Sequence, residues 1–381
     1  MSIELQDVFS RFGSEYIRTV SLSRVQYKAV NSIQQCRTSA LGGHMDVCDD
    51  CGTLKISYNS CRNRNCPKCG NLKKEQWILD RKTDLLPIQH FHAVFTVPES
   101  LHALFLSNEA RMYHLLFKAV SRTLCALALD KRLLGAEIGF TTVLHTWGQT
   151  LSYHPHIHCV IPGGGLSGSG ITFVRSRDKF FLPVKVMSKL FKKKLLGLIK
   201  CDAAEEKLHL PDEAGSSWTD AKTRNWLDKL YLTDWVVYCK KPFKNVDTVI
   251  EYLSRYTHKT ALYNNRLVAM DDHSVSFKWK DYRDGNKRKV MTLESGEFLR
   301  RFMMHILPSG FQRIRHYGIL SNRNRNSKLK TCFKLLKKNR PERKKLTAQE
   351  MILLTKGIDI TKCKECGGHW QRICTIFPQK S

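Results

Sequence analysis

An α+β fold, built as an antiparallel sheet with packed helices, is predicted by three features of the chain. A zinc-ribbon-like domain precedes it and a basic C-terminal tail follows it. Between about residues 88 and 320, short alternating apolar stretches take turns with longer segments of helical period. Six of the 14 cysteines crowd between positions 36 and 69, ahead of that region. Beyond it, from Arg313 to Lys345, thirteen Lys and Arg stand against one acid, Glu342. The domains expected are therefore 1–85, zinc-binding, 88–320, the α+β body, and 321–381, a basic region with a small metal knuckle of its own.

The 381 residues carry 63 Lys and Arg against 34 Asp and Glu, a formal charge of +29. That excess suits a polyanionic partner, of which nucleic acid is the commonest. No stretch approaches eighteen apolar residues and the N-terminus MSIELQDVFSRFG has no apolar signal core, so the expectation is a soluble, intracellular protein without a membrane partner. In a reducing compartment clustered cysteines point to metal rather than to disulfides.

Cys48-Asp-Asp-Cys51-Gly and Cys66-Pro-Lys-Cys69-Gly are two knuckle sequences separated by fourteen residues. Two knuckles supply four thiolates, the donor set of a tetrahedral structural zinc. Cys36, His44 and Cys61 stand where they can build a second site or replace one of the four. Arg62, Arg64 and Lys68 give this module a basic face suited to a phosphate backbone. Far along the chain, Cys363-Lys-Glu-Cys366-Gly, with His369 and Cys374, offers a further metal site.

In the central region HFHAVFTV, 90–97, alternates and stops at Pro98, which marks a strand. Residues 107–129 have helical spacing after a serine and an acid, and EIGFTTVLHTW, 137–147, is again a strand. A short polar link joins it to LSYHPHIHCVIPGGG, 151–165. On an extended segment His154, His156 and His158 share one face, a geometry that holds metal, although histidines also occur on half-buried strands for packing alone. A basic helix near 183–199 and a strand, 234–240, come next, and NVDTVIEYLSRYTHK, 245–259, is helical. Its stripe Val246, Val249, Ile250 and Leu253 is the buried face, and Tyr252 and Tyr256 fall together one turn apart at its edge. Hairpin strands with Asn-Asn and Asp-Gly turns close the region.

The chemistry this combination allows is a metal-assisted attack on a phosphodiester. His156 and His158 supply neutral ligands to a divalent cation, Mg2+ or Mn2+, and Gln149, at the end of the preceding strand, is the candidate third ligand, with His145 and His154 as competitors. Tyr252 or Tyr256 is then the nucleophile. Arg255 and Lys259 would hold the strand, and Trp147 and Trp279 are either stacking platforms or, more simply, core residues. A histidine-triad hydrolase also fits HPHIHCV, and a non-enzymatic zinc-ribbon DNA-binding regulator would use the same residues for packing.

The histidine pair followed by Tyr-x-x-x-Tyr resembles the two-tyrosine HUH endonucleases. The ordered set SYNSCRNRNCPKCG, FHAVFTVP, LHTWGQTLSYHPHIHCVIPGGG, YLSRYTHKTAL, FKWKDYRDG and EFLRRFMMHILPSGFQRIRHYGIL is similar, more narrowly, to rolling-circle insertion-sequence transposases of the IS91 type, over about residues 36–320. The resemblance implies an RRM-like catalytic sheet, a zinc-binding N-terminal domain, and cleavage of single-stranded DNA at element ends and target through a 5′-phosphotyrosine. It implies a cytoplasmic, nucleoid-associated protein, and allows a homodimer and host replication proteins as further partners. A plasmid replication initiator or relaxase shares the same chemistry.

Overall fold

A computed structural model describes residues 3–379 apart from 70, 211–220, 241, 244, 246–247 and 253–259. Tyr256, Arg255 and Lys259 lie outside the described residues, as do Val246 and Leu253 of the expected stripe.

The chain opens with two helices, α1 (Leu5–Thr19) and α2 (Arg24–Gln34). Leu5, Val8, Phe9, Phe12 and Tyr16 recur at helical spacing and are buried. Ser23 caps α2 by accepting from the Gln26 N–H while Gln26 reaches back, a reciprocal cap that starts the helix where the polar link ends. These helices share a core with Leu262, Val275, Phe277, Phe298 and Phe302 from much later in the chain. Phe9 meets Phe302 edge-on at 5.4 Å. Helices α1 and α2 are therefore packed against the later part of the chain.

Strands β1 (Gly43–Cys48) and β2 (Leu54–Tyr58) form the ribbon, and helix α3 (Asn71–Lys82) leads out of it. The large sheet is made of β3 (His90–Thr96), β4 (Ala136–Trp147), β5 (Tyr153–Pro162), β6 (Gly164–Ser167), β7 (Phe173–Arg175) and β8 (Val237–Lys240), in the order β7-β6-β4-β5-β3-β8. Between them come α4 (His102–Ser107), α5 (Glu109–Leu129), α6 (Val184–Ala204) and α7 (Ala221–Leu232). Strands β9 (Leu267–Met270), β10 (Ser274–Asp281) and β11 (Lys287–Glu294) make a separate antiparallel meander. Strand β12 (Ile314–Gly318) lies antiparallel on β4, and β13 (Trp370–Ile376) joins β1. Every pairing in the large sheet is antiparallel, as the α+β expectation required.

The glycines after β5 have a steric role. A Cβ on Gly165 would lie 2.0 Å from the Glu137 carbonyl oxygen, so only glycine lets β6 pass β4 this closely.

Alternation in the central strands divides the sheet into two chemically different faces. Phe91, Ala93, Phe95, Leu144, Ile157, Cys159 and Ile161 point to one side and bury themselves against α5 and α6, forming the main core. On the other side the cross-strand rows are His145, His156 and Thr96, then Val143, His158 and Val94, then Thr141, Val160 and His92. This second face is covered by Trp77 of α3, Phe243 and the helical residues 248–252, of which Val249 packs on Val160.

The tail returns to the start of the chain: β13 runs antiparallel to β1, pairing Gly43 with Ile376 and Cys48 with Trp370. Among the described residues no helix is long and apolar enough to cross a membrane.

Candidate active site

The polar face of the large sheet carries the site. His156 and His158 stand on one side of β5, as the alternation predicts, and His145 is the direct cross-strand partner of His156. Their ligand nitrogens all lie within 4.8 Å of one another. Among the described residues this group contains no carboxylate, only imidazoles.

Gln149, the expected third ligand, is placed on the neighbouring turn. The β4–β5 turn spans residues 148–152 and Trp147 pairs with Tyr153, so Gln149 sits on the turn itself, beyond the last pair. Its Nε2 donates instead to Tyr282 Oη at 3.1 Å, and its carbonyl accepts from Arg266. His154 shares the face but stays outside the group; its carbonyl accepts from His156 Nδ1 at 2.6 Å.

That bond decides a tautomer. With Nδ1 of His156 donating to a carbonyl, Nε2 carries the lone pair, and it faces His158 Nε2 at 3.0 Å. Two nitrogens each about 2.1 Å from one cation, at right angles, stand about 3 Å apart, so the spacing fits two adjacent ligands of an octahedral divalent ion. Burial, with the neighbouring His154, holds His156 neutral by lowering it to about 4, which keeps the imidazole in its ligating form.

On its other edge His158 turns Nδ1 toward Tyr252 Oη at 2.8 Å. Tyr252 Oη also lies 2.5 Å from Nε2 of His92, whose ring is buried on β3 and pushed down to about 3, mainly by burial, with Lys240 and His156 adding to it. A neutral His92 Nε2 that accepts from the tyrosine orients the hydroxyl over the sheet. Tyr252 is further packed against Phe243, ring centroids 5.3 Å apart. His92 was within an expected strand but was not singled out. The signal that would have found it is the pair His90 and His92 at i and i+2, the same spacing as in β5.

Of the other expected contacts, Arg64 is used by the protein itself. Its guanidinium donates to the carbonyls of Phe311, Pro308 and Leu307, at 2.7, 2.8 and 3.3 Å, so it ties the cysteine loop to the 307–311 turn. Arg62 remains exposed. Trp147 is buried and stacks on His145, centroids 4.7 Å apart, while half-buried Trp279 lies under the Lys289 ammonium at 5.9 Å.

The cysteines assemble differently from the expected Cys48, Cys51, Cys66 and Cys69 set. One group of four is Cys36, Cys61, Cys66 and Cys69, and the other is Cys48, Cys51, Cys363 and Cys366. The reason is topological: Cys48 ends β1 and Cys51 follows it, with the free edge of β1 taken by β13, whereas Cys36 comes just after α2 and lies near Cys69 of the second knuckle. In the first group Cys36 and Cys61 lie 3.4 and 3.5 Å from Cys69. Four thiols this close compete for protons: Cys61 is drawn down to about 5, chiefly by its bond from Cys66, while Cys66 is pushed far up. A bound dication removes that conflict by taking all four as thiolates. His44 faces Asp46 at 3.4 Å, and His369 and Cys374 also lie outside both groups.

Comparison with known proteins places the chain in a family. Residues 139–328, which hold β5 and Tyr252, match a family model described as "Putative transposase", and residues 8–97 match one described as "Transposase zinc-binding domain". The chain is 47% identical over 334 residues to "Putative transposase y4qJ" of Sinorhizobium fredii, covering 87% of this chain and 84% of the relative. It is 28% identical over 350 residues to "Transposase for insertion sequence element IS801" of Pseudomonas savastanoi pv. phaseolicola, covering 91% and 83%. No solved structure matches the chain. Zinc is thus the structural metal that the cysteine groups support, and DNA the partner that the family implies. With these two domains in order and a relative so alike over most of its length, the chain belongs to the IS91-type family of insertion-sequence transposases.

Proposed function

We propose that this transposase nicks and rejoins single-stranded DNA at the ends of its element by way of a 5′-phosphotyrosine. The observation that carries the reading is the contact of Tyr252 Oη with the outer edge of His158, whose inner edge meets His156. A nucleophile and a ligand pair are thereby joined through one imidazole ring.

His145, His156 and His158 would hold a divalent cation, and imidazole donors without a carboxylate favour Mn2+ over Mg2+. Bound there, the cation polarises the scissile phosphate and offsets the charge that gathers on its oxygens. With His158 Nε2 engaged, its Nδ1 carries the proton and donates to Tyr252 Oη, and His92 Nε2 accepts the tyrosine's own hydrogen bond. The hydroxyl is then held at one position. Attack of Oη on phosphorus gives up the tyrosine proton toward His92 Nε2, forms the O–P bond to the 5′ side and breaks the bond to the 3′ oxygen, which leaves as a 3′-OH on taking up one proton in return, so the protons balance. The energy of the broken ester is kept in the new one, so rejoining needs no nucleotide cofactor. Tyr256, four residues further along the sequence, would serve the second cleavage.

The test is incubation with labelled single-stranded element-end DNA and Mn2+, followed by denaturation. Label that stays on the protein, and disappears with chelator, supports the reading. Cleavage that persists in chelator would move the histidines to a packing role and return the hydrolase reading.

A further inference from the structure

Beyond residue 328 the chain follows a path that the two matched segments do not include. After β12 and the helix Arg325–Leu335, Arg340 reaches Asp84 at 2.9 Å and Arg343 pairs with Asp80 of α3, 2.7 Å from Nε to Oδ1. Helix Ala348–Lys356 then packs on α3, and the chain arrives at Cys363 and Cys366 before β13 adds to β1. The tail is a strap laid over α3 with its end at the ribbon.

At that end two knuckles of the same geometry meet. In each, the glycine after Cys-x-x-Cys takes a left-handed conformation, φ +71° at Gly52 and φ +85° at Gly367. In each, that glycine's N–H donates to the carbonyl of the first cysteine, at 3.1 Å for Gly52 to Cys48 and 3.0 Å for Gly367 to Cys363. The knuckles are bolted together by the Asp49 N–H on the His369 carbonyl, 3.0 Å, and by the His369 N–H on Asp49 Oδ1, 2.7 Å. Cys48 and Cys366 sulfurs are 3.4 Å apart, Cys51 and Cys363 3.8 Å, and all four lie within 4.8 Å. A tetrahedral zinc with bonds of about 2.3 Å separates its sulfurs by about 3.8 Å, whereas a disulfide would need about 2.05 Å. Cys48 and Cys363 are buried, which gives the site a closed inner side.

We propose that Cys48, Cys51, Cys363 and Cys366 form a second tetrathiolate zinc site, separate from the one at Cys36, Cys61, Cys66 and Cys69, which buckles the C-terminal strap to the N-terminal ribbon. Because its ligands come from near the two ends of the chain, with 311 residues between Cys51 and Cys363, it closes a loop of most of the chain. Metal binding and docking of the strap are one event. The inference stands apart from the assignment of the nucleophile.

Zinc content of the purified full chain decides the first part: two ions per chain are expected, and one in Cys363→Ser/Cys366→Ser. Proteolysis at Lys344 or Lys345 decides the second, because the fragment bearing helix Ala348–Lys356 and β13 should co-elute with the body and come off when zinc is chelated. A wild-type content of one, an unchanged content in the double variant, or thiol counts that show disulfides would overturn the site. A fragment still bound after chelation would overturn the buckle. Should the double variant fail to fold, the wild-type zinc count and the cleaved wild-type chain still give the answer.

Discussion

Tyr252→Phe separates chemistry from packing more cleanly than any other single change. The substitution deletes one oxygen, which bonds His92 Nε2 at 2.5 Å and His158 Nδ1 at 2.8 Å. The ring stays, and with it the contacts to Phe243 at 5.3 Å and to His92 at 4.4 Å between centroids. Neither nitrogen is orphaned, because His92 Nε2 and His158 Nδ1 lie 3.0 Å from each other and can share a proton. The stability cost is therefore that of one ordinary hydrogen bond, about 1 kcal/mol, and not the roughly 3 kcal/mol of a stranded buried group. For a body of this size that lowers the thermal midpoint by about 2–4 °C. The covalent consequence is of another order: phosphotyrosine at position 252 disappears altogether. On the proposed mechanism Tyr256 is a second nucleophile, so residual cleavage with all adduct on the other tyrosine is expected, while completed transposition fails. Differential scanning fluorimetry and peptide mapping of the adduct are the assays. A variant that transposes at the wild-type rate, whatever its midpoint, would refute the argument and leave Tyr252 as a packing residue.

Other expectations follow from the same geometry. His145→Ala should reduce divalent-dependent nicking at least about tenfold in single-turnover assays, while Gln149→Ala changes it less than about twofold; the reverse order would restore Gln149 as ligand. Arg64→Ala should destabilise the protein by about 2 kcal/mol, since three carbonyls lose a charged donor, yet leave the salt dependence of DNA binding unaltered. A shallower salt slope with unchanged stability would show a phosphate contact instead. His90 and His305 are buried and each is lowered to about 4 by burial. Between pH 6.5 and 4 the unfolded chain therefore binds more protons than the folded one, so stability is present above pH 6.5 and is lost as pH falls toward 4. Each such group contributes roughly 3 kcal/mol to that loss, and a thermal midpoint independent of pH from 7 to 4.5 would contradict it.

Strand alternation in HPHIHCV was enough to put His156 and His158 on one face, because a period of two needs no knowledge of neighbours. The third histidine depended on hairpin register. His145 is opposite His156 only because the turn takes up residues 148–152, and turn length is not readable from GQTLS alone. The antiparallel sheet and the long helix α5 were legible for the same local reason. The cysteines show the opposite case. Each Cys-x-x-Cys-Gly announces a knuckle, but which knuckles face each other is set by strand β13 returning to β1 across most of the chain. Arg64 looked like a phosphate contact by charge, and only the position of the 307–311 turn reveals carbonyls as its acceptors. His92 was hidden by its own strand, since apolar neighbours on both sides made it look like core.

The most direct test of the central claim is the mass of the peptide that carries the DNA. Wild-type chain is incubated with Mn2+ and a single strand of element end, denatured, digested, and its cross-linked peptide sequenced. The account predicts nucleotide on Tyr252 or Tyr256, joined through a 5′ phosphate, absent with EDTA and absent in His156→Ala protein that still binds the strand. Cleavage without any protein-linked nucleotide, or a link to a residue remote from the β4–β5 histidines, would contradict it.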